Sequence, residues 1–180
     1  MKIQDDVLAG LIDINSKVLD VGCGDGNLLL YLKRNKRIDG RGLEINQKNV
    51  QECLAKGLAV VEGDAEKDLV NYPNQSFDIA ILNQAIQQFY EPRKVLNELL
   101  RIAKQAIITI PNFGYWKVRL NLLATGTMPV TKTLPHSWYD TPNLHMSSIK
   151  DFYNLCSYLN DIVVHQRKRI YLLREILYYL

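Results

Sequence analysis

The chain has 180 residues, 47% of them hydrophobic, and a formal net charge of only +3. This size and composition predict one compact domain spanning residues 1–180, with little room for a second independent core. The small net charge, with only a short basic cluster at Arg167, Lys168 and Arg169, argues against a surface that tracks nucleic-acid phosphates.

The cysteines and the start of the chain exclude other classes. Cys23, Cys53 and Cys156 lie far apart, which predicts neither a disulfide framework nor a metal site. Residues 1–6 carry charge where a signal peptide would be apolar, and no run approaches the ~20 apolar residues of a membrane span. We therefore expect a cytoplasmic protein with no membrane segment and no bound metal.

Runs typical of β-strands alternate with helical segments along the chain. The predicted strands are Lys17–Val21, Arg41–Ile45, Ala59–Glu62, Phe77–Leu82 and Gln105–Ile110. Between the last two, Pro92–Ala103 has apolar residues at helical spacing. The alternation predicts an α/β fold with a mostly parallel sheet and helices on both faces.

A glycine-rich turn follows the first predicted strand. Gly22, Gly24 and Gly26 come directly after an apolar run that contains Asp20, and Glu44 ends the next strand. Alternate glycines let the backbone press against a ligand, and an acid about 20 residues further on is placed to hold a ribose diol. The pattern predicts a nucleotide-type site, although a ligand-free tight turn is the plainer alternative.

The spacing of the glycines narrows the class of nucleotide ligand that this site would bind. A dinucleotide site has Gly-x-Gly-x-x-Gly, whereas the last glycine here comes one residue early and Asp25 adds a negative charge. That charge disfavours a pyrophosphate and favours a ligand that carries an ammonium or sulfonium group.

These residues resemble the class I S-adenosylmethionine-dependent methyltransferases over roughly residues 15–111. The resemblance implies a Rossmann-like fold and S-adenosylmethionine, or S-adenosylhomocysteine, as cofactor. It implies that the methionyl part lies in the glycine loop, that Glu44 takes the ribose hydroxyls, and that an acid after strand three faces the adenine. The implied cofactor-binding residues are Asp20, Gly22, Gly24, Gly26, Glu44, Asp64, Ala65 and Asn83.

A narrower resemblance covers nearly the whole chain. Asn83–Gln88, Ile110–Gly114, Met128–Lys132 and Trp138–Asn143 followed by His145 are similar to the MetW family of methionine biosynthesis proteins. This resemblance implies a role in amino-acid biosynthesis alongside homoserine O-acyltransferase.

Regular periodicity stops over residues 111–147. This stretch carries four of the six prolines and both tryptophans. Since ligands of open α/β sheets bind at the carboxyl ends of the strands, it is a candidate lid or substrate wall. An irregular segment that packs on the sheet edge is the alternative.

The sequence contains no clear motif for catalytic residues. Methyl transfer needs mainly a nucleophile held in line with the methyl group, sometimes with a base. His136, Tyr139 and His145 are the candidates, although a histidine in a proline-rich loop is commonly structural. Gln87 and Gln88 are placed either to bind a polar substrate or to cap a helix, and Asn83 is not followed by the Pro-Pro-aromatic motif of amine methyltransferases.

The end of the chain predicts two antiparallel strands, Ile162–Val164 and Ile170–Leu173, with His165 directly after the first of them. Leu173, Ile176, Leu177 and Leu180 then have the spacing of one apolar helical face, which would dock on the core or on another chain.

Two functions remain open at this stage. One is an S-adenosylmethionine-dependent methyltransferase acting on a small polar molecule. The other is a binding and regulatory partner of homoserine O-acyltransferase on a methyltransferase scaffold, which the missing base and missing acceptor motif favour.

Overall fold

The computed structural model describes residues 2–130, 136–162 and 170–172, and the side chains of residues 5–130 and 136–157. Its strands are β1 (Lys17–Val21), β2 (Asp39–Glu44), β3 (Ala59–Glu62), β4 (Phe77–Asn83), β5 (Ala103–Thr109) and β6 (Ile170–Leu172). They form one sheet in the order β3-β2-β1-β4-β5-β6. Every described strand pair is parallel, so the expected doubly wound α/β fold is confirmed.

Helices connect the strands. They are α1 (Lys2–Gly10), α2 (Asn27–Lys36), α3 (Gln47–Ala55), α4 (Ala65–Asp68), α5 (Pro92–Ile102), α6 (Trp116–Thr125) and α7 (Ile149–Ile162), with short 3₁₀ turns at Leu69–Asn71 and Ile86–Gln88. The predicted strand and helix positions agree with these bounds to within two residues from Lys17 to Thr109.

Both faces of the sheet are buried, which explains why its central strands are almost wholly apolar. On β4, Ala80 and Leu82 pack with α5, while Ile79 and Ile81 pack with α1 and α2 on the opposite face. Successive side chains of a strand point to opposite faces, so each strand supplies both layers of the core. Burial on both faces therefore leaves the ends of the strands as the edges of the sheet that a ligand can reach.

The strand register brings the predicted site residues to one edge. Val21 is paired with Leu43 on one side and with Leu82 on the other. Glu44 is paired with Glu62. The residues that follow β1, β2, β3 and β4 therefore converge at the carboxyl end of the sheet, where open α/β folds bind ligands.

The prediction of antiparallel strands at the end of the chain is wrong. β6 is parallel to β5, with Ile107 paired with Tyr171, and Ile162 ends helix α7. The reason is topological: α7 carries the chain back towards the amino end of β5, so the next strand runs in the same direction. Val163, Val164, His165 and the predicted end helix of Leu173–Leu180 lie outside the described residues.

The described part of the segment at 111–147, residues 111–130 and 136–147, contains one helix, α6, and is pinned at its base. Phe113 N–H donates to Ser147 O at 3.1 Å, while Leu144 N–H donates to Gln87 O at 2.8 Å. The Asn112 side-chain oxygen accepts from Gly114 N–H at 3.0 Å and from Ile149 N–H at 3.3 Å. These bonds hold the two ends of the segment together beside the 3₁₀ turn after β4.

Candidate functional site

The loop after β1 has the geometry that its glycines predict. Gly22, Gly24 and Gly26 all have positive φ, at 68°, 55° and 75°. A Cβ added to Gly26 would lie 2.6 Å from Leu58 Cδ1 and 2.7 Å from Cys53 Sγ, and both of these side chains are buried. The loop therefore needs glycine for its backbone conformation and, at Gly26, for close packing on α3 as well.

Glu44 joins this loop to the end of β2. It is 6% exposed. One carboxylate oxygen accepts from Gly24 N–H at 2.8 Å, and the other accepts from Asn46 N–H at 2.8 Å. The predicted ribose-binding acid thus lies directly beside the glycine loop and shapes it. Each carboxylate oxygen keeps further acceptor capacity for a hydroxyl.

Asp20 is buried under the same loop. It is 1% exposed, and its Oδ1 has no hydrogen-bond partner among the described residues. Burial, with a smaller contribution from nearby Glu44, raises the pKa of Asp20 to about 7. A buried carboxyl without a partner is costly unless protonated or matched by a donor or cation. This orphaned oxygen fits a ligand whose methionyl part carries an ammonium and a sulfonium group.

The Asp25 charge is partly balanced, which sequence reasoning did not show. Asp25 lies 3.6 Å from Lys56 Nζ and accepts from Asn27 N–H at 3.1 Å. Lys56 also donates to the backbone oxygen of Asp25. The aspartate therefore anchors the start of α2 to the end of α3 and is not a free charge facing a ligand.

A cleft of about 490 Å³ opens at the carboxyl edge of the sheet. Gly22, Leu43 and Ile45 form one side, and Gly63–Lys67 form its base. The remaining wall comes from the segment after β4, namely Gln88, Phe89, Tyr90, Glu91 and Lys94. This volume lies within the range of about 300–1,000 Å³ typical of small-molecule sites. Of the implied cofactor residues, Gly22, Asp64 and Ala65 line this cleft, whereas Asp20, Gly24, Gly26 and Glu44 are not among its lining residues. The glycine loop adjoins the cleft through Gly22, and together with the orphaned acid these features fit S-adenosylmethionine.

Asp64 and Ala65 line this cleft, and Asp64 also has a structural role. Its carboxylate caps α4 by accepting from Glu66 N–H at 3.0 Å, and it pairs with Lys67 at 2.8 Å. The bond with Lys67 lowers the pKa of Asp64 despite some burial. The carboxylate is therefore ionised and held at the cleft wall.

Asn83 lies at the end of β4 in a polar cluster with β5. Its Oδ1 accepts from Thr109 Oγ1 at 2.6 Å, and Thr109 Oγ1 in turn accepts from Gln84 N–H at 2.9 Å. Gln84 has a φ of 52°, which is unusual for a residue other than glycine. The cluster holds a strained turn, and Asn83 is not among the residues lining the 490 Å³ cleft.

The three catalytic candidates do not share one cavity. His136 lines a small cavity with Phe113 and Trp138. His145 lines a different cavity of about 150 Å³, with Gln87 and Phe152. Tyr139 is 69% exposed and stacks edge-on against Trp138. The described residues therefore form no catalytic dyad from these side chains.

Two features of the site were missed by sequence reasoning. Phe89 and Tyr90 line the cleft just after the 3₁₀ turn at Ile86–Gln88, and their position soon after a strand end was the available signal. Gln87 is 5% exposed, and its backbone oxygen accepts from both Leu144 and His145. It therefore anchors the segment at 111–147 to the sheet edge, and its sequence gave no sign of this.

No helix within residues 2–130, 136–162 and 170–172 is long and apolar enough to cross a membrane. The same residues contain no cluster of three or more His, Cys, Asp or Glu side chains suited to a metal ion.

Solved structures share this fold. A SAM-dependent methyltransferase from Archaeoglobus fulgidus superposes with a TM-score of 0.68 at 19% identity, covering 88% of this chain and 66% of that one. A possible histamine N-methyltransferase from Thermotoga maritima gives 0.64 at 20% identity, covering 86% and 68%. At these identities the likeness establishes a class I methyltransferase fold.

Sequence comparison identifies the family. The chain is 30% identical over 172 residues to the bifunctional methionine biosynthesis protein MetXA/MetW of Rhodopirellula baltica, covering 91% of this chain but 28% of that protein. The family model for methionine biosynthesis protein MetW matches residues 4–175. The chain therefore belongs to the MetW family of methionine biosynthesis proteins.

Proposed function

We propose that this chain binds S-adenosylmethionine at the carboxyl edge of its sheet and acts with homoserine O-acyltransferase in methionine biosynthesis. The observation that carries the first part is the combination of the positive-φ glycine loop with the buried, unpartnered Asp20 oxygen and the 490 Å³ cleft. These features suit a cationic nucleoside ligand and contain no cradle for phosphates.

Each predicted residue has a role in this proposal. The glycine loop and Asp20 hold the methionyl part, Glu44 accepts from the ribose hydroxyls, and Asp64 with Ala65 contacts the adenine. Asn83 supports the turn that borders the methyl group. When bound, S-adenosylmethionine supplies an electrophilic methyl group, and His136, Tyr139 and His145 stay predictions as bases for its transfer.

Isothermal titration of S-adenosylmethionine tests the binding site. We expect wild type to bind and Glu44→Ala to lose most of the affinity. Glu62→Ala is the matched control, since Glu62 ends the neighbouring strand in register with Glu44 but is exposed. Thermal unfolding of each variant reports whether it is folded. Equal affinities in all three proteins would place the ligand elsewhere.

The partnership rests on the family and on its fused relative. The Rhodopirellula baltica relative joins MetXA and MetW in one chain, and this chain matches only 28% of its length. Fusion of two functions in one chain indicates that they work together. We therefore propose that this chain associates with the acyltransferase in the cytoplasm, where its three free cysteines stay reduced.

Ligand and partner are linked in this proposal. S-adenosylmethionine lies downstream of methionine, so a protein that binds it and touches an early enzyme reports the level of end product. Such regulation requires the ligand to favour one partner-binding state. The affinity for the acyltransferase, measured with and without saturating S-adenosylmethionine, should differ by several-fold. Equal affinities would remove the sensing role and leave the partnership intact.

Methyl transfer to a small polar acceptor is the second candidate. It is favoured by the cleft geometry and by the fold shared with methyltransferases. Formation of S-adenosylhomocysteine when metabolite extracts are supplied would establish it.

A further inference from the structure

Helix α6 presents an apolar face to solvent. Trp116, Leu120 and Leu123 recur at i, i+4 and i+7, so they lie on one side of the helix. They are 56%, 53% and 84% exposed, whereas Val118 is the buried residue of this helix. The usual amphipathic arrangement, with the apolar stripe on the core, is thus reversed here.

Among the described residues, little supports this helix. It has 10 residues and no side-chain hydrogen bond at its N-cap. Helices shorter than about 12–15 residues are marginal in water unless a tertiary contact covers their apolar face. A partner that covers the exposed face of α6 would therefore stabilise the helix.

The surroundings of α6 have the composition of an interface. Tyr115 stacks on Trp116 with ring centroids 5.9 Å apart, and Lys117 lies over the same indole at 5.6 Å. Trp138 is 70% exposed in the same segment. Aromatic residues and arginine are enriched at the centres of protein interfaces.

The positive charge around α6 narrows the kind of partner that fits its apolar face. Residues 112–139 contain three Lys or Arg side chains and no Asp or Glu. Among them, Lys117 and Arg119 are exposed on α6 beside the apolar face. A second copy of this chain would bring the same cations against this face, which is repulsive. A partner with an apolar groove and a rim of carboxylates is complementary to it.

We infer that the face of Trp116, Leu120 and Leu123 docks as a helix into an apolar, acid-rimmed groove of the homoserine O-acyltransferase. This inference rests on the proposed partnership and adds the surface that makes it. The base of the segment is pinned to Gln87, one residue before the cleft-lining Gln88.

The test uses the full chain and the purified acyltransferase of the same organism. We expect the double variant Leu120→Ala, Leu123→Ala to bind at least about 30-fold more weakly, the loss typical of hot-spot residues. Leu54→Ala is the matched control, because Leu54 on α3 is 55% exposed, like Leu120, but lies away from α6. It should change the affinity less than about twofold, within the range of contacts outside a hot spot.

A second experiment tests the charges beside the apolar face, by measuring how fast the variant Lys117→Glu, Arg119→Glu associates with the acyltransferase. These substitutions should slow association and reverse the salt dependence of the rate, since rim charges act mainly on encounter. Unchanged binding of S-adenosylmethionine in all variants shows that each is folded.

The outcomes separate the surface from the partnership. If wild type and the double variant bind the acyltransferase equally, the surface is wrong while the partnership stands. Absence of binding by wild type would overturn both. Two further results would reassign α6 to a different partner. The first is a wild-type dimer in analytical sedimentation that becomes a monomer in the double variant. The second is wild-type protein that sediments with anionic phospholipid vesicles, when the double variant does not.

Discussion

The edge of the sheet around Glu44 and the segment at 111–147 are organised in opposite ways. At the sheet edge, both oxygens of the buried Glu44 carboxylate accept from backbone N–H groups of the loops. In the segment, the base is hydrogen bonded to Gln87, but the large apolar side chains face solvent. The first region leaves one buried carboxylate oxygen, that of Asp20, without a partner among the described residues, which suits a small ligand. The second leaves an apolar helix face exposed, which suits the docking of a larger molecule.

The largest expected difference is in stability. Leu19→Ala on β1 removes a fully buried side chain and should lower the free energy of unfolding by about 2–5 kcal/mol. Leu123→Ala makes the same chemical change at an exposed position and should stay within about 0.5 kcal/mol of wild type. Urea denaturation measures both. A loss above about 1 kcal/mol for Leu123→Ala would mean that α6 is packed within the chain, contrary to the comparison.

The glycine loop provides the next test. In Gly26→Ala the new Cβ would stand on a residue with positive φ and within 3 Å of two buried side chains. The free energy of unfolding should therefore fall by about 2–4 kcal/mol. Gly57→Ala has a φ of 71° but open space around its Cβ, so only the backbone term of about 1–2 kcal/mol applies. Equal losses in the two variants would show that the loop tolerates a side chain.

Asp20 should make stability depend on pH. Its folded pKa of about 7 lies above the unfolded value of 3.8, so its favourable contribution is present below about pH 4 and is lost as pH rises through 7. Asp20→Asn removes this pH dependence. Relative to wild type, the free energy of unfolding of the variant should therefore rise by on the order of 1–3 kcal/mol between pH 4 and pH 8. If the free energies of unfolding of wild type and Asp20→Asn change in parallel from pH 4 to pH 8, the raised pKa assigned to Asp20 is wrong.

The smallest effect concerns helix caps at the sheet edge. The side-chain oxygen of Asn46 accepts from Lys48 N–H at 3.0 Å and from Asn49 N–H at 3.3 Å at the start of α3. Asn46→Ala should cost about 1 kcal/mol, whereas Asn46→Asp keeps the acceptor and should be nearly neutral. Thermal unfolding distinguishes the two, and equal destabilisation would assign the effect to something other than the cap.

Sequence reasoning worked best where backbone geometry limits the residue type. Positive φ at the three loop glycines and burial at both faces of β4 leave clear marks in the chain, so the fold class, the positions of the first five strands and the loop were predictable, whereas the order of the strands was not predicted. It failed at the end of the chain, because a strand of three residues carries no mark of its direction. The parallel pairing of β6 depends on where α7 returns the chain.

The residues by themselves determined the doubly wound sheet, the glycine loop and the acids placed around it, because strand alternation and left-handed turns admit few alternatives. Only the tertiary structure decided which side chains share a cavity. It separated His136 from His145, tied Asp25 to Lys56, and turned the apolar face of α6 outward. These are contacts between residues distant in the chain, and local periodicity carries no information about them.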